Sequence, residues 1–165
     1  MAIRVTGSEL SGVLWIEPAV YGDARGFFSE SFNRRDFLAG TGIDVVFEHE
    51  SQYQGVRGRR LGWSRVSLAG AGWLWRVTDG ELFVAVRDAR SDGMTQGGWV
   101  QGYLDANRMG QIWIPPGMVF VFQVVSEKAE WIGKCTRETG ALNLVSLSGG
   151  DEEWAIDWPV PVMLG

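Results

Sequence analysis

Trp73-Leu74-Trp75-Arg76-Val77-Thr78, followed by Asp79-Gly80 and then Glu81-Leu82-Phe83-Val84-Ala85-Val86-Arg87, is the stretch on which the fold turns. Its flanks are rich in Trp, Val and Phe, side chains that suit a pleated strand. Asp-Gly between such runs is a two-residue hairpin signal, because both residues tolerate the positive φ of a tight turn. Residues two apart in a strand share a face. Trp73, Trp75 and Val77 therefore lie opposite Leu74, Arg76 and Thr78, and Leu82, Val84 and Val86 lie opposite Phe83, Ala85 and Arg87. The alternation recurs downstream, with Met118, Phe120 and Phe122 against Val119, Val121 and Gln123. Trp131 and Gly133 stand against Glu130, Ile132 and Lys134. Four strands thus present one face without an ionisable group. That face is either a solid core or the wall of an apolar pocket.

Working outward, Val13 to Glu17 and Phe27 to Phe32 read as strands. Further strands are expected near 45–54, 60–68, 99–105, 111–114, 118–125, 129–135 and 142–147. Pro115-Pro116-Gly117 forces a turn. Asn33-Arg34-Arg35-Asp36-Phe37-Leu38-Ala39-Gly40 reads as one short helix, with Asn33 as its cap, Asp36 at its positive end and Gly40 as its stop. The expectation is an all-β jelly roll with one short helix. No repeat or linker interrupts it, so residues 1–165 read as a single domain.

Composition narrows the function. The net charge of −5 argues against a nucleic-acid partner, whose phosphates need a basic patch. A single cysteine, Cys135, excludes an internal disulfide and points to a reducing compartment. With no signal-peptide run and no long apolar stretch, the protein reads as cytoplasmic, with no membrane partner. One histidine, His49, is too few for a metal-binding cluster, so no metal and no cofactor are expected. Nine tryptophans are many for a core of this size, and some are expected to line a cavity.

Several segments carry a resemblance. Asp23-Ala24-Arg25-Gly26-Phe27-Phe28-Ser29-Glu30-Ser31-Phe32-Asn33 is the most specific. Trp75-Arg76-Val77 with Gly80-Glu81, Asp88-Ala89-Arg90, Ile112-Trp113-Ile114-Pro115-Pro116-Gly117, Lys134-Cys135-Thr136 and Ile156-Asp157-Trp158-Pro159 extend it. The chain resembles the dTDP-4-dehydrorhamnose 3,5-epimerase-like cupins over about residues 10 to 160. The resemblance implies a cupin-type jelly roll that forms a homodimer with strand exchange. It implies proton abstraction beside a ketone by a histidine base, aided by a lysine and a tyrosine acid. Here the histidine position carries Ser64, within Leu61-Gly62-Trp63-Ser64. The supporting aspartate position carries Val84, the lysine position Trp73, the tyrosine position Gly133, and a second histidine position Phe120. The phosphate-contacting arginine matches Leu61, and neighbouring positions match His49 and Ser51. Arg25, Phe28 and Glu30 are retained and match residues that help hold the nucleotide.

These replacements are mostly apolar or small and fall on the inward face found from alternation. They lead to the expectation that the chain is not a standard 3,5-epimerase. It is expected instead to be a repurposed, cofactor-independent cyclase of the pericyclic or cycloaddition type, acting on an apolar small molecule in polyketide and antibiotic biosynthesis. Its pocket would comprise Trp63, Trp73, Trp75, Val84, Met118, Phe120, Phe122, Trp131 and Gly133, with Ser64 and His49 as catalytic groups polarising a carbonyl. Two alternatives stand beside it: a non-catalytic partner in the sugar-nucleotide pathway, and a divergent sugar epimerase. The latter would draw on His49, Glu50, Asp88 and Tyr103.

Overall fold

In the computed structural model, residues 2–63, 70–137, 145–146 and 156–161 are described. Along them run β1 (Ile3–Gly7), β2 (Leu14–Pro18), β3 (Val20–Asp23), β4 (Gly26–Ser29), α1 (Arg34–Thr41), β5 (His49–Val56), β6 (Arg60–Trp63), β7 (Trp73–Asp79) and β8 (Glu81–Asp88). They continue as β9 (Trp99–Asp105), a 3-10 turn (Ala106–Arg108), β10 (Gln111–Ile114), β11 (Met118–Val124), β12 (Lys128–Cys135) and β13 (Val145–Ser146). One sheet has the order β1-β2-β10-β7-β12-β5 and a second β13-β6-β11-β8-β9, while β3 and β4 form a separate hairpin. The pairings are antiparallel throughout. This is an all-β jelly roll.

The deciding stretch behaves differently from its hairpin reading. β7 pairs with β10 and β12 in the first sheet, whereas β8 pairs with β11 and β9 in the second. Asp79-Gly80 is therefore a corner between sheets. Gly80 has φ 78°, and a Cβ there would lie 2.2 Å from the Lys128 carbonyl oxygen. Ser126 Oγ accepts from Glu81 N, and the Gly80 carbonyl accepts from Ala106 N. The turn is thus tied to the β11–β12 turn and to the 3-10 turn after β9, and is not closed on itself.

The inward face predicted from alternation forms one buried cluster. Trp73, Trp75, Val77 and Trp131 come from the first sheet, and Leu82, Val84, Val86, Met118, Phe120 and Phe122 from the second. The opposite faces build two satellites. Leu74 and Trp113 pack under α1 through Phe37. Phe83, Ala85, Val119 and Val121 are covered by Ile156 and Trp158. This C-terminal strap is fastened by the buried Gln123, whose Nε2 donates to the Val160 carbonyl at 2.9 Å and whose Oε1 accepts from Val160 N at 3.3 Å. Trp158 also lies over the Arg60 guanidinium, 4.1 Å from ring centre to Cζ.

Boundaries shift for local reasons. Asn33 caps α1 by accepting from Asp36 N, as expected, but the helix passes Gly40 and stops at Gly42 in the left-handed conformation. Gly40 is small because β1 crosses it: a Cβ would sit 3.0 Å from the Ile3 side chain. The strand expected to reach Phe32 ends at Ser29, and Phe32 packs instead on Phe37 and Phe47. The strand placed near 45–54 runs from His49 to Val56. Of the strand expected at 60–68, residues 64–68 lie outside the described residues. Of 142–147, only Val145 and Ser146 are described, paired with Gly62 and Leu61. β1 escaped the sequence reading altogether.

Candidate functional site

The barrel interior is an aromatic stack. Trp73 and Trp75, two apart on β7, lie parallel with centroids 4.7 Å apart. Phe120 meets both at steep angles, and Phe122 meets Trp75 edge-on at 5.0 Å. Trp131 stands 6.4 Å from Phe122. Gly133, in register with Trp75, is the floor under that indole, since a Cβ at Gly133 would lie 2.2 Å from Trp75 Cζ3. Seven of the expected lining residues thus come together: Trp73, Trp75, Val84, Met118, Phe120, Phe122 and Trp131. Trp63 ends β6 with its backbone in register with Phe120. Ser64 lies outside the described residues.

Polar groups enter from the sheet edge. β5 alternates half-buried His49, Ser51 and Tyr53 with exposed Glu50, Gln52 and Gln54. His49 Nε2 and Ser51 Oγ are hydrogen-bonded, and the imidazole stands 6.3 Å from Trp73. Tyr53 stacks on Trp131 at 5.7 Å and leans on Trp75 at 5.8 Å. Ser51 was noted only for its match to a phosphate-site position, and Tyr53 was missed. The period-two pattern starting at His49 was the available signal.

The other acid–base candidates point elsewhere. Glu50 is exposed and paired with Lys134. Tyr103 is exposed on β9 and packs edge-on against Phe83 of the outer satellite. Asp88 is buried and engaged: Arg90 donates through Nε at 3.0 Å and Nη2 at 2.8 Å, and Thr95 donates its hydroxyl. The Arg90 hydrogen bonds, aided by Thr95 and opposed by burial, hold the Asp88 carboxyl down at about 2. A carboxylate so stabilised is a poor base, and its position makes it a loop latch, with Arg90 reaching on to the Ser11 carbonyl.

Arg25, Phe28 and Glu30 sit on or beside the β3–β4 hairpin, not in the barrel stack. Arg25 is exposed and paired with Asp23 at 2.6 Å, an interaction that raises the guanidinium and lowers the carboxyl. Glu30 accepts from Asn33 Nδ2 at 2.8 Å. The hairpin carries large apolar groups on both faces, with Tyr21 opposite Phe28 on one and Val20 and Phe27 on the other, all exposed. Among the described residues, no three His, Cys, Asp or Glu side chains converge as a metal site would require, and no helix is long and apolar enough to cross a membrane.

Two facing antiparallel sheets around a side-chain-lined interior define a cupin-type jelly roll. The comparisons with known proteins are more specific. The family described as dTDP-4-dehydrorhamnose 3,5-epimerase matches residues 7–164. The enzyme of that name from Pseudomonas aeruginosa is 35% identical over 158 residues, covering 96% of this chain and 87% of its own. Its counterpart from Escherichia coli K12 is 35% identical over 159 residues, covering 95% and 85%. The crystal structure of dTDP-6-deoxy-D-glucose-3,5-epimerase from Legionella pneumophila, in complex with dTDP-4-keto-L-rhamnose, superposes with a TM-score of 0.86 at 31% identity, over 99% of this chain and 88% of that one. The chain belongs to the dTDP-4-dehydrorhamnose 3,5-epimerase family.

This corrects the functional expectation. A cycloaddition-type cyclase in polyketide or antibiotic biosynthesis is overturned by relatives that share a third of their residues over nearly the whole chain and bear the epimerase name. The reading of the chain as something other than a standard 3,5-epimerase falls with it. That expectation took apolar inward residues as walls for an apolar ligand. In the structure these rings pack chiefly on one another, and close ring packing does not specify a ligand.

Proposed function

We propose that the protein epimerises a nucleotide-linked 4-keto-deoxysugar. The observation carrying this reading is the family match from residue 7 to residue 164 at 35% identity to enzymes of that name. The chemistry needs no cofactor, because the substrate ketone is itself the electron sink. A base removes the proton from the carbon beside the carbonyl, the enolate is held by a hydrogen bond, and return of the proton to the other face inverts the centre.

The finer assignment is also ours. Where the resemblance places lysine, aspartate, histidine and tyrosine, this chain has Trp73, Val84, Phe120 and Gly133. Proton transfer then falls to His49, whose hydrogen bond to Ser51 orients the ring. Ser64 supplies the hydroxyl partner for the enolate oxygen. Trp73, Trp75, Met118, Phe122 and Trp131 form the packed apolar wall behind these groups. Arg25, Phe28 and Glu30 contact the nucleotide from the hairpin. The doubly apolar hairpin supports a homodimer, since an isolated two-stranded ribbon is marginal in water. A cytoplasmic setting agrees with one buried, unpaired Cys135.

The test is deuterium wash-in to dTDP-4-keto-6-deoxyglucose in D2O, read by NMR. Exchange at C3 and C5 is expected, with His49→Gln lowering it at least about 10²-fold. No exchange above buffer, at enzyme matching substrate concentration, removes the epimerase reading. Normal exchange by the His49 variant removes only the His49 assignment.

A further inference from the structure

β5 is the edge strand of the first sheet, and its inward row runs His49, Ser51, Tyr53. Register sets each on a different rung of the barrel wall. His49 is level with Cys135 and Trp73, Ser51 with Gly133 and Trp75, and Tyr53 with Trp131 and Val77. We infer that Tyr53 is the proton donor for the sugar face opposite His49. The inference rests on the epimerase reading and adds the group that completes inversion.

Inversion beside a ketone needs two groups, one for each face of the carbon. The base breaks the C–H bond, and its electron pair moves onto the ketone oxygen as an enolate. A second group then gives up its O–H proton, a C–H bond forms on the other face, and the ketone returns. The phenolate left behind regains a proton from solvent, and the protonated base releases one to it. A base acting alone returns the proton to the face it came from, which exchanges the hydrogen without inverting the centre.

Tyr53 has the placement this second group requires. Of the chain's three tyrosines, Tyr21 and Tyr103 are exposed, on the β3–β4 hairpin and against the outer satellite. Tyr53 turns inward and packs on the main core cluster. Its ring is fixed by Trp131 at 5.7 Å and by Trp75 at 5.8 Å, while no hydrogen bond among the described residues engages its hydroxyl. Trp75 occupies the Ser51 rung, over Gly133, so contact with it brings the Tyr53 ring toward that rung. Four residues of strand at about 3.3 Å each put the Cβ atoms of His49 and Tyr53 about 13 Å apart. Groups attacking one carbon from both faces at about 3–3.5 Å need tips about 6–7 Å apart, and an imidazole and a phenol leaning together span the difference. A sugar ring over Ser51 then has His49 on one face and Tyr53 on the other. Cys135 does not compete for the role, because it is fully buried and shares the His49 rung.

The test follows dTDP-4-keto-6-deoxyglucose with the whole protein in D2O by NMR, reading deuterium exchange and inverted product separately. The parent should give both. Tyr53→Phe keeps the ring and its contacts, so its melting temperature should match the parent. Its inversion per exchange event should fall at least about tenfold, because the enolate is reprotonated from the His49 side. Tyr53→Leu is the second variant should the first be unstable, and the same fall is expected. Ser51→Ala, which releases the imidazole, should lower exchange and inversion together and leave their ratio unchanged, as would a role of Tyr53 in packing alone. A parental ratio in the Tyr53 variants overturns the inference and leaves the epimerase reading standing. A parent that exchanges without inverting also overturns it, and a parent that does not exchange at all overturns both.

Discussion

Replacing Gly133 by Ala tests whether the barrel interior is a filled stack. Gly133 lies in the middle of β12, where its ordinary backbone conformation accepts any residue. By propensity alone, Ala would stabilise the strand by about 0.5–1 kcal/mol. Packing predicts the opposite sign. The new Cβ would stand 2.2 Å from Trp75 Cζ3 and 2.5 Å from Cε3 and Cη2. Carbon atoms rest at about 3.5–4.0 Å, so the indole must retreat by roughly 1.3 Å or more. It has no free direction, being fully buried, stacked on Trp73 and wedged by Phe120, Phe122 and Tyr53. Overpacking of this kind costs about 1–3 kcal/mol, and the rigidity of an indole places Gly133→Ala near the top of that range. In a domain of this length the melting temperature should fall by about 6–12 °C. Differential scanning calorimetry measures it. A double-mutant cycle with Trp75→Leu, which vacates the contested space, should recover about 1–3 kcal/mol as coupling. A variant as stable as the parent, or a cycle that is simply additive, would refute the filled-stack argument.

Other consequences are as direct. Asp88 is held at about 2 against an ordinary 3.8. A carboxyl depressed in the native state stabilises it fully above the unfolded value and loses that contribution as pH falls from about 4 through 2, a loss of about 2 kcal/mol. Urea midpoints between about pH 7 and 2.5 should show this loss in the parent and a flatter profile in Asp88→Asn; equal slopes would dismiss the latch. For the homodimer, sedimentation should find dimers in the parent and monomers after Phe27→Ser with Phe28→Ser, which removes apolar area from both hairpin faces. A monomeric parent at about 50 µM, a concentration at which specific protein pairs hold, would dismiss the dimer.

The limits of reading the chain are clearest at Asp79-Gly80. Its residues correctly announce a sharp turn, yet a turn dipeptide carries no information about which strands it joins. Whether β7 and β8 pair or face each other depends on partners up to 62 residues away, as Trp73 is from Cys135, namely β10, β11 and β12. Inward faces were legible because apolar alternation is a local record of burial. β5 was not, since His49, Ser51 and Tyr53 alternate with other polar residues and only the stack behind them distinguishes the two sides.

Local steric and hydrophobic pattern was enough to establish an all-β chain, most of its strands, the capped helix and the face that the four apolar strands turn inward. Those properties depend on neighbours one to four residues apart. Folding of the chain decided that Trp75 occupies the space above Gly133, that Asp88 is a latched carboxylate, and that Trp15 of one sheet seats on Gly102 of the other. Each of these depends on the separation of side chains brought together across sheets, and a difference of one or two ångströms there separates a pocket from a packed core.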